Sequence, residues 1–498
     1  MSLKSVLSLT LQYLMGFSKR RLVQAIDTLR KQYFQLESEL ESVKQENERL
    51  KSELSRQKIQ EVNKTVNQPT SKKPEWEQKG VGNDGLGKKK GRGSKGRHGA
   101  GNKSKGHPIT HHETAKVERC DVCGRALSGQ PALQTENVRI IEDIPLPAPL
   151  QVIEVKQEKK YCRHCKNVVT ASTELALPKT DKGLNTTIKV IYLWINSCLP
   201  FTKISAYMNA FFGQRISTAG LSSQMIRVGE IMKAVYDEIL NDVRTASRVH
   251  ADESGWRVNG KLWWLWVFGN SESAYYTIDN SRGSDVVHRI LGEVFAGLLV
   301  VDGWRAYLIL NCLQQSCMAH LLRKIRELSR AFPNLGSVFG FYVRFRKILR
   351  DGEKLQMERK KLGEAVFQRR FNKLHERLDE LLRWPNPNDI LKDIIEKVLR
   401  QRPRILTFVE HEGAPCHNNF AEGLIRKGVL KRKVSFGSKS VDGAKAYAIL
   451  LSIHTTCQLR NISFMDFMMQ SLKHYIRTGT PMLLKEYAEI QAPVAIAA

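Results

Sequence analysis

Two adjacent acids, Asp252 and Glu253, precede the apolar run "KLWWLWVFG", and another acid, Asp302, stands directly after the apolar residues 298–301. Apolar runs of that length read as buried strands, and a carboxylate at the end of a buried strand belongs to a crevice rather than to a core. Two such carboxylates converging repel each other unless a cation neutralises them, and hard oxygen donors suit Mg²⁺ or Mn²⁺. A two-metal site needs one more acid. The best placed is Glu422, in "CHNNFAEGLIRKGVLKRKVSFGSKS", near the start of a helix that Asn418 or Asn419 can cap and that buries Ala421, Leu424 and Ile425. Arg426, Lys427, Lys431, Arg432 and Lys433 follow it closely, so the same residues fit an ordinary ion-pair partner equally well.

A second chemistry is written in cysteine. Cys120 and Cys123, then Cys162 and Cys165, form two C-x-x-C knuckles, and Gly124 suits the turn of the first. Four thiolates on two tight turns meet the tetrahedral demand of Zn²⁺, and a closed set of four is structural rather than catalytic. Such a site holds together a small domain with little core of its own. Cys317 and His320 make a C-x-x-H pair to which Cys416 and His417 could add ligands, although packing is the simpler reading of these four.

These groups need elements to position them. Leu22, Leu29, Leu36, Val43 and Leu50 interleave with Ile26, Tyr33, Leu40, Asn47 and Leu54 in a heptad pattern that predicts a coiled coil over residues 22–54. With Asn47 at an a position, Glu39 and Glu46 fall at g and Lys44 and Lys51 at e, which favours a parallel dimer. Residues 61–110 lose all periodicity and read as a disordered linker, in which Lys88, Lys89, Lys90, Arg92, Lys95 and Arg97 form a phosphate-binding arm. Residues 111–180 hold the zinc knuckles, and 181–245 form a helical module that fits packing as well as DNA contact. Strand texture then marks an α/β core over 246–328, and the segment 412–475, with its helix carrying Glu422, is expected to complete it. Between its two parts, residues 329–411 carry Phe367, Phe371, Leu374, Leu378 and Leu381 at helical spacing, closed by Trp384 and Pro385, and 476–498 form a tail.

Seventy-nine Lys and Arg against 50 Asp and Glu give a formal charge of +29, which calls for a polyanion and first of all nucleic acid. Arg426, Lys431, Arg432 and Lys433 are the candidates for holding phosphates beside the acids, and Trp256 and Trp304 for stacking on a base. No apolar run reaches the length of a membrane span, and the short run 6–17 has its basic cluster on the wrong side for a secretory signal. A cytoplasmic protein, associated with the nucleoid of a prokaryote, is expected.

Three blocks, "HADESGWRVNGKLWWLWV", "VVDGWRAY" with "CMAHLLRKIREL", and "NNFAEGLIRKGVLKRKVSFGSKSVDGAKAYAILLS", resemble the catalytic core of insertion-sequence 66 family transposases, and the order of segments is similar over most of the chain. The resemblance implies a ribonuclease H-like core with a helical insertion and an Asp, Asp, Glu triad at Asp252, Asp302 and Glu422. Glu253 is then a neighbour and not a ligand. It also implies two-metal phosphoryl transfer that nicks the element ends and joins the freed 3′-hydroxyl to target DNA. Cys317 and His320 match a C-x-x-H signature that precedes such insertions. Ser254 replaces a usual Thr, and Gly423 stands where an Arg often follows the third acid. The rival expectations are an inactive transposase-derived DNA-binding protein and a hydrolytic nuclease of the same fold, with any need for helper proteins left open.

Overall fold

The computed structural model describes residues 18–66, 123–127 and 150–491. The chain divides into two compact units, one of Met1–Pro74, Val155–Ile204 and Ser217–Ala498, the other of Glu75–Glu154 and Ser205–Ile216. In the second unit Cys123 is exposed and Gly124 takes a left-handed φ of 70°. Cys120 and the basic arm from Lys88 to Arg97 lie outside the described residues.

Within the first unit, α1 (Lys19–Val66) is one continuous helix of 48 residues. Ile26, Tyr33, Leu36, Leu40, Val43, Leu50 and Leu54 of its heptad seam are all exposed along it, while the side chains of Leu22 and Leu29 lie outside the described residues. Strands β1 (Lys159–Cys162) and β2 (Asn167–Thr170) form an antiparallel hairpin in which Cys162 faces Asn167. The knuckle Cys162–Cys165 is therefore the turn of that hairpin. The backbone N–H and the thiol of Cys165, with the N–H of His164, hold the Cys162 thiol below its ordinary pKa.

Four helices follow: α2 (Leu184–Ile195), α3 (Phe201–Phe212), α4 (Thr218–Ile231) and α5 (Lys233–Arg244). Helix α4 begins at Ser217, whose side chain accepts from the N–H of Gly220.

The central sheet contains β3 (Arg248–Val258), β4 (Lys261–Gly269), β5 (Ala274–Asp279), β6 (Val294–Val301) and β7 (Asn311–Ser316), with α6 (Ser284–Leu291) and the short α7 (Arg305–Leu308) in its connections. The spatial order is β5-β4-β3-β6-β7, antiparallel from β5 to β3 and parallel from β3 to β7. Asn259 and Gly260, both at positive φ, make the two-residue turn from β3 to β4, the turn chemistry that matches the twist of a hairpin. Leu265, Trp266, Val267 and Phe268 of β4 and Leu299, Val300 and Val301 of β6 are fully buried, as strands covered on both faces must be.

After the sheet come α8 (Met318–Ala331), α9 (Gly336–Glu358), α10 (Glu364–Leu382), α11 (Asp389–Gln401), the short α12 (Thr407–Glu410), α13 (Asn419–Ser435), α14 (Val441–Leu459), α15 (Phe464–Thr478) and α16 (Leu484–Gln491). The five apolar residues that predicted α10 are its buried face against α9. The last turns of α1 reach α8, where Lys58 lies over the Phe332 ring at 5.5 Å. Helix α14 is buried without a break over residues 446–457, because it runs between the sheet and α4. Its hydroxyls also cover part of the sheet edge: Ser452 accepts from the N–H of Tyr276 and Thr456 from that of Ala274. Among the described residues no helix is long and apolar enough to cross a membrane.

Candidate active site

The two aspartates meet because the sheet puts their strands side by side. β3 and β6 pair in parallel with His250 opposite Val300, and the same register carried two residues further sets Asp252 beside Asp302, just past the last paired residue of β6. There the chain must turn sharply. Gly303 takes a left-handed φ of 83°, and the N–H of Trp304 donates to Asp302 Oδ1 at 3.0 Å, so the carboxylate braces the turn that follows it.

Glu422 arrives from a helix. It lies in the first turn of α13, which packs across β3 and β4 so closely that a Cβ on Gly428 would stand 2.0 Å from Leu265 Cδ2. Asn418 at the helix start was expected to cap it, but its side chain does something else. Buried, it donates from Nδ2 to the Ala251 carbonyl at 2.7 Å and accepts from His250 Nδ1 at 3.0 Å. Its own N–H donates to Cys317 Sγ at 3.1 Å. Asn418 thus ties the strand that carries Asp252 to the helix that carries Glu422, a tertiary role that spacing along the chain does not reveal. Burial pushes the His250 imidazole down to about 4, which keeps this joint neutral.

The electrostatics follow from that convergence. Burial, then the charges of Asp302, Glu253 and Glu422, push the Asp252 carboxyl well above the usual carboxylate range. Asp252 Oδ1 accepts the N–H of Glu253 at 2.9 Å, which offsets only part of this. One Glu422 oxygen is buried without a hydrogen-bond partner, and His320 Nε2 stands 3.6 Å from it.

Glu253 is differently served. Successive residues of a strand leave on opposite faces, and this side chain, 1% exposed, accepts from Arg282 Nε and Nη2 at 3.1 and 2.9 Å and from the Tyr307 hydroxyl at 2.6 Å. The Arg282 guanidinium is itself sandwiched between Trp304 and Trp264, at 3.9 and 4.4 Å from their ring centres. Neither Arg282 nor Tyr307 carries a spacing signal, so sequence reasoning missed both.

The basic residues after Glu422 part company. Lys431 is 3% exposed and donates to the carbonyls of Cys198 and Leu199, at 3.3 and 2.7 Å. Burial drops its pKa to about 8. A surface phosphate contact is closed to it because its ammonium is already spent on those carbonyls. Arg432 is half-buried and donates to Ser254 Oγ and the Gly255 carbonyl, while Arg426 and Lys433 are exposed. Trp256 is buried and stacked on Tyr447, its Nε1 donating to Ser438, so it is core and no stacking platform. Trp304 remains 38% exposed. Cys317 stands at the N-cap position of α8 without a side-chain capping bond and is buried, its thiol pushed up to about 12, chiefly by desolvation. Cys416 donates to Glu353 Oε1 at 3.2 Å. A groove of about 1120 Å³ lined by Arg248, His250, Phe420 and Arg460 opens nearby, and none of the three acids lines it.

Comparison with known proteins places the region in context. The model of the Transposase IS66 family matches residues 183–446, which include all three acids and the Cys317–His320 pair. Uncharacterized protein y4jD of Sinorhizobium fredii is 23% identical over 399 residues, 72% of this chain and 75% of that protein. Uncharacterized protein y4hP of the same organism is 23% identical over 382 residues, 69% of this chain and 68% of its own length.

Proposed function

The chain belongs to the Transposase IS66 family, and from that membership we propose that it is a DNA transposase that binds the ends of a mobile element, cleaves them and transfers the strands to target DNA. The observation that carries the chemistry is the convergence of Asp252 from within β3, Asp302 from just past the end of β6 and Glu422 from a helix start, where burial and then mutual repulsion raise the Asp252 carboxyl. A mixed five-stranded sheet with Asp252 on β3 and Asp302 just past the end of the neighbouring β6 supports a ribonuclease H-like reading.

The donor set fits hard divalent cations. The three carboxylates offer only oxygen, one Glu422 oxygen is buried without a hydrogen-bond partner, and the guanidinium of Arg282 is committed to Glu253. When bound, Mg²⁺ or Mn²⁺ would neutralise the three acids, activate water or a DNA 3′-hydroxyl as nucleophile and stabilise the leaving oxygen. Asp252, Asp302 and Glu422 act as ligands and not as general bases. Exposed Arg426 and Lys433 on α13 are set to hold phosphates near them, and Trp304, backed by Arg282, offers an exposed ring beside Asp302. The arm from Lys88 to Arg97 adds affinity without sequence information. Two copies pair through the exposed seam of α1, and the knuckles Cys120, Cys123, Cys162 and Cys165 hold a structural Zn²⁺.

The test incubates the protein and its Asp302→Asn variant with Mg²⁺, labelled element-end DNA and a plasmid target. Joined products from the parent alone are expected. A parent that binds the ends but neither cuts nor joins them would overturn the catalytic reading, and cut ends without joining would leave a hydrolytic nuclease.

A further inference from the structure

Cys317, His320 and Glu422 come together from two helix starts. Cys317 directly precedes α8, His320 follows one turn later, and Glu422 enters from the first turn of α13. Their ligand atoms, one sulfur, one ring nitrogen and one carboxylate oxygen, all lie within 4.8 Å of one another. A tetrahedral ion with bonds of about 2.0 to 2.3 Å has ligands about 3.3 to 3.8 Å apart. The 3.6 Å between His320 Nε2 and Glu422 Oε1 is already such an edge.

The surroundings favour a cation over a plain contact. Glu422 Oε1 is buried and has no hydrogen-bond partner, so its lone pairs are unused. The backbone N–H of Asn418 donates to Cys317 Sγ from 3.1 Å, which fixes the sulfur on the side of Glu422 and His320. The rival ligand Cys416 is engaged with Glu353. A mixed sulfur, nitrogen and oxygen set is wrong for Mg²⁺, which takes oxygen donors, and right for Zn²⁺.

We propose that Cys317, His320 and Glu422 form a binding site for a single Zn²⁺-type cation, and that filling it withdraws Glu422 from the carboxylate cluster it shares with Asp252 and Asp302. Glu422 then belongs to two alternative sites, one of hard donors and one of soft. The cation acts as an off-switch on the strand chemistry, an inference whose regulatory half rests on Glu422 being the third acid of the transposase site. The cation-binding half stands on the three ligands alone.

The experiment uses the full-length chain and needs no turnover for its first reading. Zinc per chain is measured by elemental analysis after equilibration with a small excess of Zn²⁺ and desalting, for the parent, Cys317→Ser, His320→Gln and Glu422→Gln. His320 is partly exposed, so its variant guards against a loss of zinc caused by misfolding, and thermal melting checks each protein. Cys317→Ser, His320→Gln and Glu422→Gln are each expected to hold one equivalent less than the parent, since each removes one of the three ligands. Equal zinc in the parent and His320→Gln would overturn the site. The second reading is Mg²⁺-dependent cleavage of element ends against added Zn²⁺. Inhibition of the parent, relieved at least tenfold in Cys317→Ser, is expected; inhibition unchanged in that variant would overturn the withdrawal of Glu422. A parent without cleavage would count against the transposase reading, and the zinc content would still decide the site.

Discussion

Asp252 and Glu253 are neighbours on one strand, both carboxyls are raised by burial and by Asp302, and the fold answers only Glu253 with side-chain donors. Glu253 is matched by a guanidinium and a phenol, with the guanidinium locked between two indoles. Asp252 is half-buried against three other acids and receives a single backbone N–H. A buried carboxylate that is paired serves structure, whereas one that is left facing like charges is held in waiting for a cation. The pairing of Glu253 also removes it from competition for that cation, so the arginine decides which of the two acids is available.

The contrast breaks most severely at Arg282. Replacing Arg282 with Met leaves the Glu253 charge buried with only Tyr307 to answer it, and we expect destabilisation of about 3 to 5 kcal/mol, the usual cost of breaking a buried pair from one side. Chemical denaturation of the parent, Arg282→Met and the double variant with Glu253→Gln measures it. The double variant should recover most of the loss; equal losses in both would show that the indole stack, and not the ion pair, carries the effect.

A second way to test the contrast is through the joint that seats Glu422. His250 is neutral when folded, its pKa depressed to about 4, against about 6.5 unfolded. The unfolded chain therefore binds the extra proton first as pH falls. Stability from this group is full above about 6.5 and is lost progressively down through 4, by up to about 3 kcal/mol. Melting curves across that window should show the loss, and a His250→Gln variant should flatten it. Next in size, Asp252→Asn removes the repelled charge itself. In metal-free protein we expect a gain of about 1 to 2 kcal/mol, the familiar exchange of activity for stability at a functional site. A loss of stability in a chelator-treated melt would mean that Asp252 is satisfied in a way its surroundings do not suggest.

The apolar runs of β4 and β6, the five-residue face of α10 and Asp302 at the end of β6 were legible in the sequence because each depends on local pattern, whereas Asp252, expected at a strand end, lies within β3, which runs on past β6 to pair with β4. Which acid of the 252–253 pair is paired was not legible, since Arg282 and Tyr307 reach Glu253 from outside its strand. The same holds for Asn418, whose side chain prefers β3 to its own helix, and for Lys431, whose basic neighbours suggested a surface while Cys198 and Leu199 supply a buried seat. Charge runs on a helix do not tell which face is covered; that is a property of the partner. Trp256 and Trp304 make the same point, since each follows an acid closely and only one is exposed.

Gly423 gives the smallest and most direct test of how the third acid is held. It sits in the first turn of α13 beside Glu422, is exposed, and a Cβ there would meet nothing within 4 Å. Its φ is not in the left-handed region, so no conformational need for glycine exists at this position. Gly423→Ala should therefore stabilise the helix by about 0.5 to 1 kcal/mol, the ordinary propensity difference. Gly423→Arg should gain nearly as much and, by adding a cation next to the acid cluster, tighten binding to element-end DNA with a steeper salt dependence. If the alanine variant is stabilised but loses cleavage, the flexibility of this first turn is part of how Glu422 works; if cleavage is kept, α13 acts as a rigid mount.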